Sequence, residues 1–136
     1  MDNGYITLNN GVTMPKLGFG TIGQSGEALV DNVAFALNHG YDLIDTANRY
    51  GNETEVGEGL KKSGRKREEY FLETKLGPTL YENDRAVDDT LKRLQVDYRS
   101  DYLKEGQILA TVQYGLLRYK EKGRGMAQAG ITGGLN

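Results

Sequence analysis

The feature that most constrains this chain is a rhythm. Short strand-like segments begin near residues 16, 41, 70 and 98 as "KLGFG", "YDLID", "YFLETK" and "VDYRSDYL", and a segment with helical periodicity follows each of the first three. A spacing of about 25 to 30 residues is the length of one strand, one helix and their turns, and such units lay their strands side by side in a parallel sheet with crossover helices. The first helical segment, "GEALVDNVAFALNHG", carries Leu29, Val33, Ala36 and Leu37 at i, i+4, i+7 and i+8, one apolar face stopped by Gly40. "NETEVGEGLKK" (52–62) predicts a second helix with Asn52 as its N-cap, and "NDRAVDDTLKRLQ" (83–95) a third through Val87, Thr90, Leu91 and Leu94. Ahead of these units, "YITLNNGVTMP" alternates around Asn10-Gly11, a strong hairpin-turn signal. The expected fold class is α/β, an N-terminal hairpin plus about three to four βα units.

Bulk properties narrow the partners. At 136 residues the chain has the length of one ordinary domain. Its 17 Lys and Arg against 19 Asp and Glu leave a formal net charge of -2, with no basic block interleaved with aromatics, so nucleic acid is not an expected partner. The absence of cysteine excludes a disulfide frame and a thiolate metal site. One histidine among scattered carboxylates offers no ligand spacing, so no metal is expected. No apolar run approaches the roughly 18 residues of a membrane span, and "MDNGYITLNNG" lacks the regions of a signal peptide. A cytoplasmic protein without a membrane partner is the expectation.

In parallel α/β folds, ligands gather where strands end and lead into helices. On that rule Gly20 and Thr21 end the first strand, Asp45 ends the second with Tyr50 in the loop behind it, and Lys75 ends the third. All five then lie on one rim. A cation beside a phenol stabilises the phenolate, and a carboxylate holds that cation in place, so Asp45, Tyr50 and Lys75 together can hand a proton to a carbonyl oxygen as hydride arrives at carbon. Each also has a plainer reading: a loop tyrosine more often packs, a strand-end Asp caps a loop, and a strand-end Lys solvates an edge. His39, before Gly40 at a helix end, is read as meeting free backbone carbonyls, and "KKSGRKREE" as a solvated turn. "GFGT" lacks the third glycine and the distant acid of a dinucleotide fingerprint.

Four segments in order resemble the aldo-keto reductases: "LNNGVTMPKLGFGT" their opening hairpin and first strand, "NHGYDLIDTANRYGNETEVGEGL" the signature around their catalytic Asp and Tyr, "REEYFLETKL" the strand ending in their catalytic Lys, and "DDTLKRLQVDY" the helix before their fourth strand. The resemblance covers roughly residues 5 to 98. It implies part of a (β/α)8 TIM barrel and NADPH-dependent reduction of aldehydes or ketones to alcohols. It implies catalytic roles for Asp45, Tyr50 and Lys75, and contact with the nicotinamide end of NADPH for Gly20, Thr21 and Asp45.

Beyond Tyr98 the pattern departs. Where the family's fourth strand runs on to a histidine that orients the substrate carbonyl, this chain reads "RSDYLKEGQ", with no histidine after residue 39. "QILATVQYGLLRY" can make a strand or a short helix, while "KEKGRGMAQAGITGGLN", with five glycines in 17 residues, has little to bury. Residues 1–103 are therefore read as a truncated half-barrel and 104–136 as a poorly ordered glycine-rich tail outside the resemblance. A closed barrel takes about 250 residues. Three readings compete: a reductase, a non-catalytic product of truncation or of a frameshift near Tyr98, and a small interaction module. The second predicts weak NADPH binding, no turnover and self-association through exposed sheet edges. NADPH titration, aldehyde turnover and light scattering test it.

Overall fold

The computed structural model describes residues 4–7, 13–80 and 82–96, together with the backbone of three further strands. In chain order the elements are β1 (Tyr5–Thr7), β2 (Thr13–Pro15), β3 (Phe19–Gly20), α1 (Gly26–Asn38), β4 (Leu43–Asp45), α2 (Glu53–Ser63), β5 (Phe71–Leu76), α3 (Ala86–Leu94), β6 (Ile108–Val112), β7 (Arg118–Lys120) and β8 (Met126–Gln128).

β1 and β2 pair antiparallel with Thr7 opposite Thr13. A two-residue turn centred on Asn10-Gly11 would oppose Thr7 to Met14, so the register is shifted by one residue from the one that signal implied; Asn10 and Gly11 themselves lie outside the described residues. β3, β4, β5 and β6 then line up in that order as one parallel sheet, as the βα rhythm predicts and as suits the partial barrel that the resemblance implies. The strand beside β5 comes from "QILATVQYGLLRY" rather than from "VDYRSDYL". Val96 is not in a strand, and 97–103 lie outside the described residues. β7 and β8 pair with each other, antiparallel.

The helices cover one face of the sheet. α1 buries Leu29, Val30, Val33, Ala34, Ala36 and Leu37, which contains the face that its periodicity predicts. These residues meet Ile44 and Leu72 from β4 and β5, Val56 and Leu60 from α2, and Leu94 from α3 in one cluster. Each buried Leu or Ile contributes about 1.5–3 kcal/mol relative to exposure. On the other face, Leu43 and Phe71 are buried with Met14 of the hairpin packed against them, so the hairpin covers the sheet at the end where β4 and β5 begin. The opposite end, where the strands finish, is the rim.

The segment "KKSGRKREE" is largely exposed, as its reading as a solvated turn expects, but Arg65 is partly buried and tied inward. Its guanidinium donates to the Leu37 carbonyl at 2.6 Å, to Asp42 Oδ1 at 3.2 Å and to Glu69 Oε2 at 3.2 Å. The turn after α2 is thereby tied to the end of α1 and the start of β4. No helix among the described residues is long and apolar enough to cross a membrane.

Candidate active site

Asp45 is the last residue of β4, Gly20 stands beside it in β3, and Lys75 lies on β5 two residues past Glu73, the partner of Asp45. Strand alternation turns Asp45 and Lys75 to one side of the sheet, away from Ile44, Leu72 and Thr74. Lys75 Nζ donates to Asp45 Oδ1, and also to the Thr46 carbonyl at 3.1 Å. The same ammonium stands 5.6 Å from the centroid of the Tyr50 ring, within cation–π reach. Tyr50 closes a 3-10 turn over Asn48–Tyr50, held by its N–H bond to the Ala47 carbonyl at 3.0 Å. Gly51 follows with φ 66, a left-handed value that lets the chain reverse into α2 at no side-chain cost. The Tyr50 hydroxyl has no hydrogen-bond partner among the described residues. Three side chains from two strand ends and one turn are thus brought together, with one polar group left free.

Gly20 and Thr21 differ in what they offer. The Thr21 amide and hydroxyl both donate to the Asp45 carbonyl, each at 3.1 Å, and the residue is fully buried. It fastens the end of β3 to the end of β4. Gly20 is exposed, with nothing within 4 Å of where a Cβ would stand, so the rim beside Asp45 is open there. His39 is not at the rim. Its Nδ1–H donates to the Phe35 carbonyl at 2.7 Å and its ring stacks on Phe35, as its helix-end place predicted.

Asn52 was read from sequence only as an N-cap, and Glu53, Arg49 and Gly77 were not singled out; all four neighbour the site. Asn52 stands at the start of α2 without a side-chain capping bond; its amide instead donates to the Thr21 and Gln24 carbonyls, both at 2.9 Å, clamping the Tyr50 loop to the loop after β3. Glu53, its side chain 1% exposed, accepts from Thr74 Oγ1 at 2.8 Å, Thr90 Oγ1 at 3.3 Å and Arg93 Nε at 2.9 Å. It ties the same loop to β5 and α3. Arg49 lays its stem over Gly77, where a Cβ would meet Arg49 Cγ and Cδ at 2.9 Å. A capping-type Asn and an acid in a first helical turn are ordinary sequence signals, so nothing local marks these tertiary contacts. Among the described residues no group of three or more His, Cys, Asp or Glu could hold a metal ion.

Comparison with known proteins bears on the fold and the family. The sequence model of the Aldo/keto reductase family matches residues 16–103. Morphine 6-dehydrogenase of Pseudomonas putida is 43% identical over 130 residues, covering 91% of this chain and 44% of that one, so the similarity runs past residue 103. Methylglyoxal reductase DkgA of Escherichia coli K12 is 38% identical over 124 residues, covering 87% of this chain and 45% of that one. Among solved structures, an aldo/keto reductase from Brucella melitensis superposes with a TM-score of 0.68 at 32% identity, over 81% of this chain and 53% of that one. A Bombyx mori aldo-keto reductase in complex with NADP gives 0.65 at 30% identity, over 79% and 37%. The chain spans less than half the length of these two curated relatives. With this sheet, this rim and these matches, the chain belongs to the aldo/keto reductase family.

Proposed function

We propose that the rim formed by Asp45, Tyr50 and Lys75 is a site of NADPH-dependent reduction of aldehydes or ketones to alcohols. The observation that carries this reading is the Lys75 ammonium, bonded to Asp45 and standing 5.6 Å from the ring of Tyr50, whose hydroxyl is free. Gly20 and Asp45 would face the nicotinamide end of the cofactor, while Thr21, buried with its amide, carbonyl and hydroxyl all engaged, holds the two strand ends together behind it. The open space at Gly20 suits a flat ring, and the Bombyx mori relative was solved with NADP. The bound cofactor supplies hydride. The Tyr50 hydroxyl donates its proton to the carbonyl oxygen, and Lys75 stabilises the negative charge left on the phenol oxygen. Asp45 and the Thr46 carbonyl aim the ammonium.

Tyr50→Phe tests the assignment, because it removes only an unpartnered hydroxyl and leaves the packing of the ring. NADPH oxidation with a generic aromatic aldehyde should fall by about 10²–10⁴-fold while the circular dichroism spectrum is unchanged. Turnover that survives in Tyr50→Phe would take Tyr50 out of the mechanism.

A second reading, a non-catalytic fragment or interaction module, is favoured by His39 lying away from the rim, which leaves no imidazole beside Tyr50. Leu17 and Ile22, on either side of the edge strand β3, are 60% and 69% exposed and would serve self-association. Steady turnover by a monodisperse chain in light scattering would rule this reading out.

A further inference from the structure

Arg49 immediately precedes Tyr50 in the 3-10 turn, and its side chain crosses to the loop that follows Lys75. Its Cγ and Cδ occupy the space over Gly77, 2.9 Å from where a Cβ of that residue would stand. A side chain at position 77 would displace the stem, so this glycine fixes where the guanidinium rests. Arg49 is exposed and pairs with no carboxylate among the described residues. In contrast Lys62, Arg65, Lys75 and Arg93, which reach across to neighbouring elements, each face one. Lys75 and Asp45 balance each other, so among the described residues of the Asn48–Tyr50 turn and the strand ends beside it Arg49 carries a positive charge that no carboxylate meets.

We infer that Arg49 selects carbonyl compounds that carry a carboxylate. The inference rests on the rim being the carbonyl site. A single guanidinium presents a planar fork that matches a carboxylate in a bidentate pair, and one positive charge balances a monoanion. Placed beside Tyr50, it orients a 2-oxo acid by its carboxylate and leaves the adjacent carbonyl to the phenol.

Equilibrium binding separates charge selection from hydride transfer. The probes are phenylglyoxylate and its methyl ester, nearly the same shape but charged and neutral, titrated into the full chain by ligand-observed NMR. The unsubstituted chain should bind the carboxylate at least about tenfold more tightly than the ester, as expected for one charge-assisted pair. In Arg49→Met the ratio should fall to about one, Arg49→Lys should restore part of it, and Gly77→Ala should lower it by moving the stem. No binding of the carboxylate, a ratio near one in the unsubstituted chain, or a ratio that Arg49→Met leaves unchanged would overturn the inference. A failure of the reductase reading looks different: no turnover of either compound, with the affinity ratio intact.

Discussion

Arg93 and Glu53 show how one buried carboxylate is kept tolerable. Glu53 Oε1 accepts from Thr74, and Oε2 from Thr90 and Arg93, so the charge is matched and both oxygens are engaged. Removing either partner has unequal cost. Arg93→Met strands an anion in the interior and should cost about 3–5 kcal/mol. Glu53→Gln keeps the shape and most of the hydrogen bonds, and Arg93, 37% exposed, can turn to water, so about 1–3 kcal/mol is expected. Urea denaturation at constant m would reveal the order, and a Glu53→Gln variant less stable than Arg93→Met would refute it. Asp45 and Lys75 are legible in sequence because each ends a strand-like run. Glu53 is not, because "NETEVGEGL" reads as an exposed acidic helix start and its partner Arg93 lies 40 residues further on.

At the scale of elements, α2 is the piece that everything around the site leans on. Its backbone is approached from both sides: a Cβ at Gly59 would stand 2.6 Å from Val33 Cβ and 2.8 Å from the Val30 carbonyl, and one at Gly57 2.6 Å from the Arg93 carbonyl. Glycine weakens an isolated helix by roughly 1 kcal/mol against alanine. Here the close approach of α1 and α3 outweighs that preference. Gly59→Ala should therefore destabilise by about 1–3 kcal/mol despite the better helix former, while Glu58→Ala, on the exposed side, should stay within about 0.5 kcal/mol. Thermal melts of the two variants decide it, and a Gly59→Ala chain as stable as the parent would mean that α1 can move away. The helix itself was legible in sequence, with Asn52 read as its N-cap. Which neighbours press on its glycines was not.

For the whole molecule, two polar ties outside the rim set how stability responds to pH. Tyr5 donates to Asp42 Oδ2 at 3.0 Å, joining the hairpin to the residue before β4, and that hydrogen bond, with some burial, holds its pKa above the ordinary 10.0. The protonated phenol is favoured by the fold, so this contribution is complete below pH 10.0 and is lost as pH rises through the higher folded value. Glu69 goes the other way. The Lys66 amide bonds its carboxylate, the Arg65 guanidinium adds to this, and its pKa is held below the ordinary 4.5. Its contribution is complete above pH 4.5 and is lost as pH falls through the lower folded value. Melting temperature against pH should show both limbs, with Glu69→Gln flattening the acid one and Tyr5→Phe the alkaline one. Limbs that neither substitution alters would assign the pH response to other groups.

The order of elements, the apolar face of α1 and the candidate triad Asp45, Tyr50 and Lys75 could be read from the sequence because each depends on spacing within a few residues: periods of two and 3.6, and the rule that strand ends form one rim. The register of the hairpin, the identity of the strand beside β5, and the contacts of Asn52, Glu53, Arg65 and Arg49 were decided only in three dimensions. Apart from the hairpin, whose paired residues lie 6 to 10 positions apart, each depends on a partner about 20 to 40 residues away, brought close by packing of the sheet and helices. A local pattern specifies which face of an element is buried, and only the assembled sheet specifies which charge, carbonyl or glycine that face will meet.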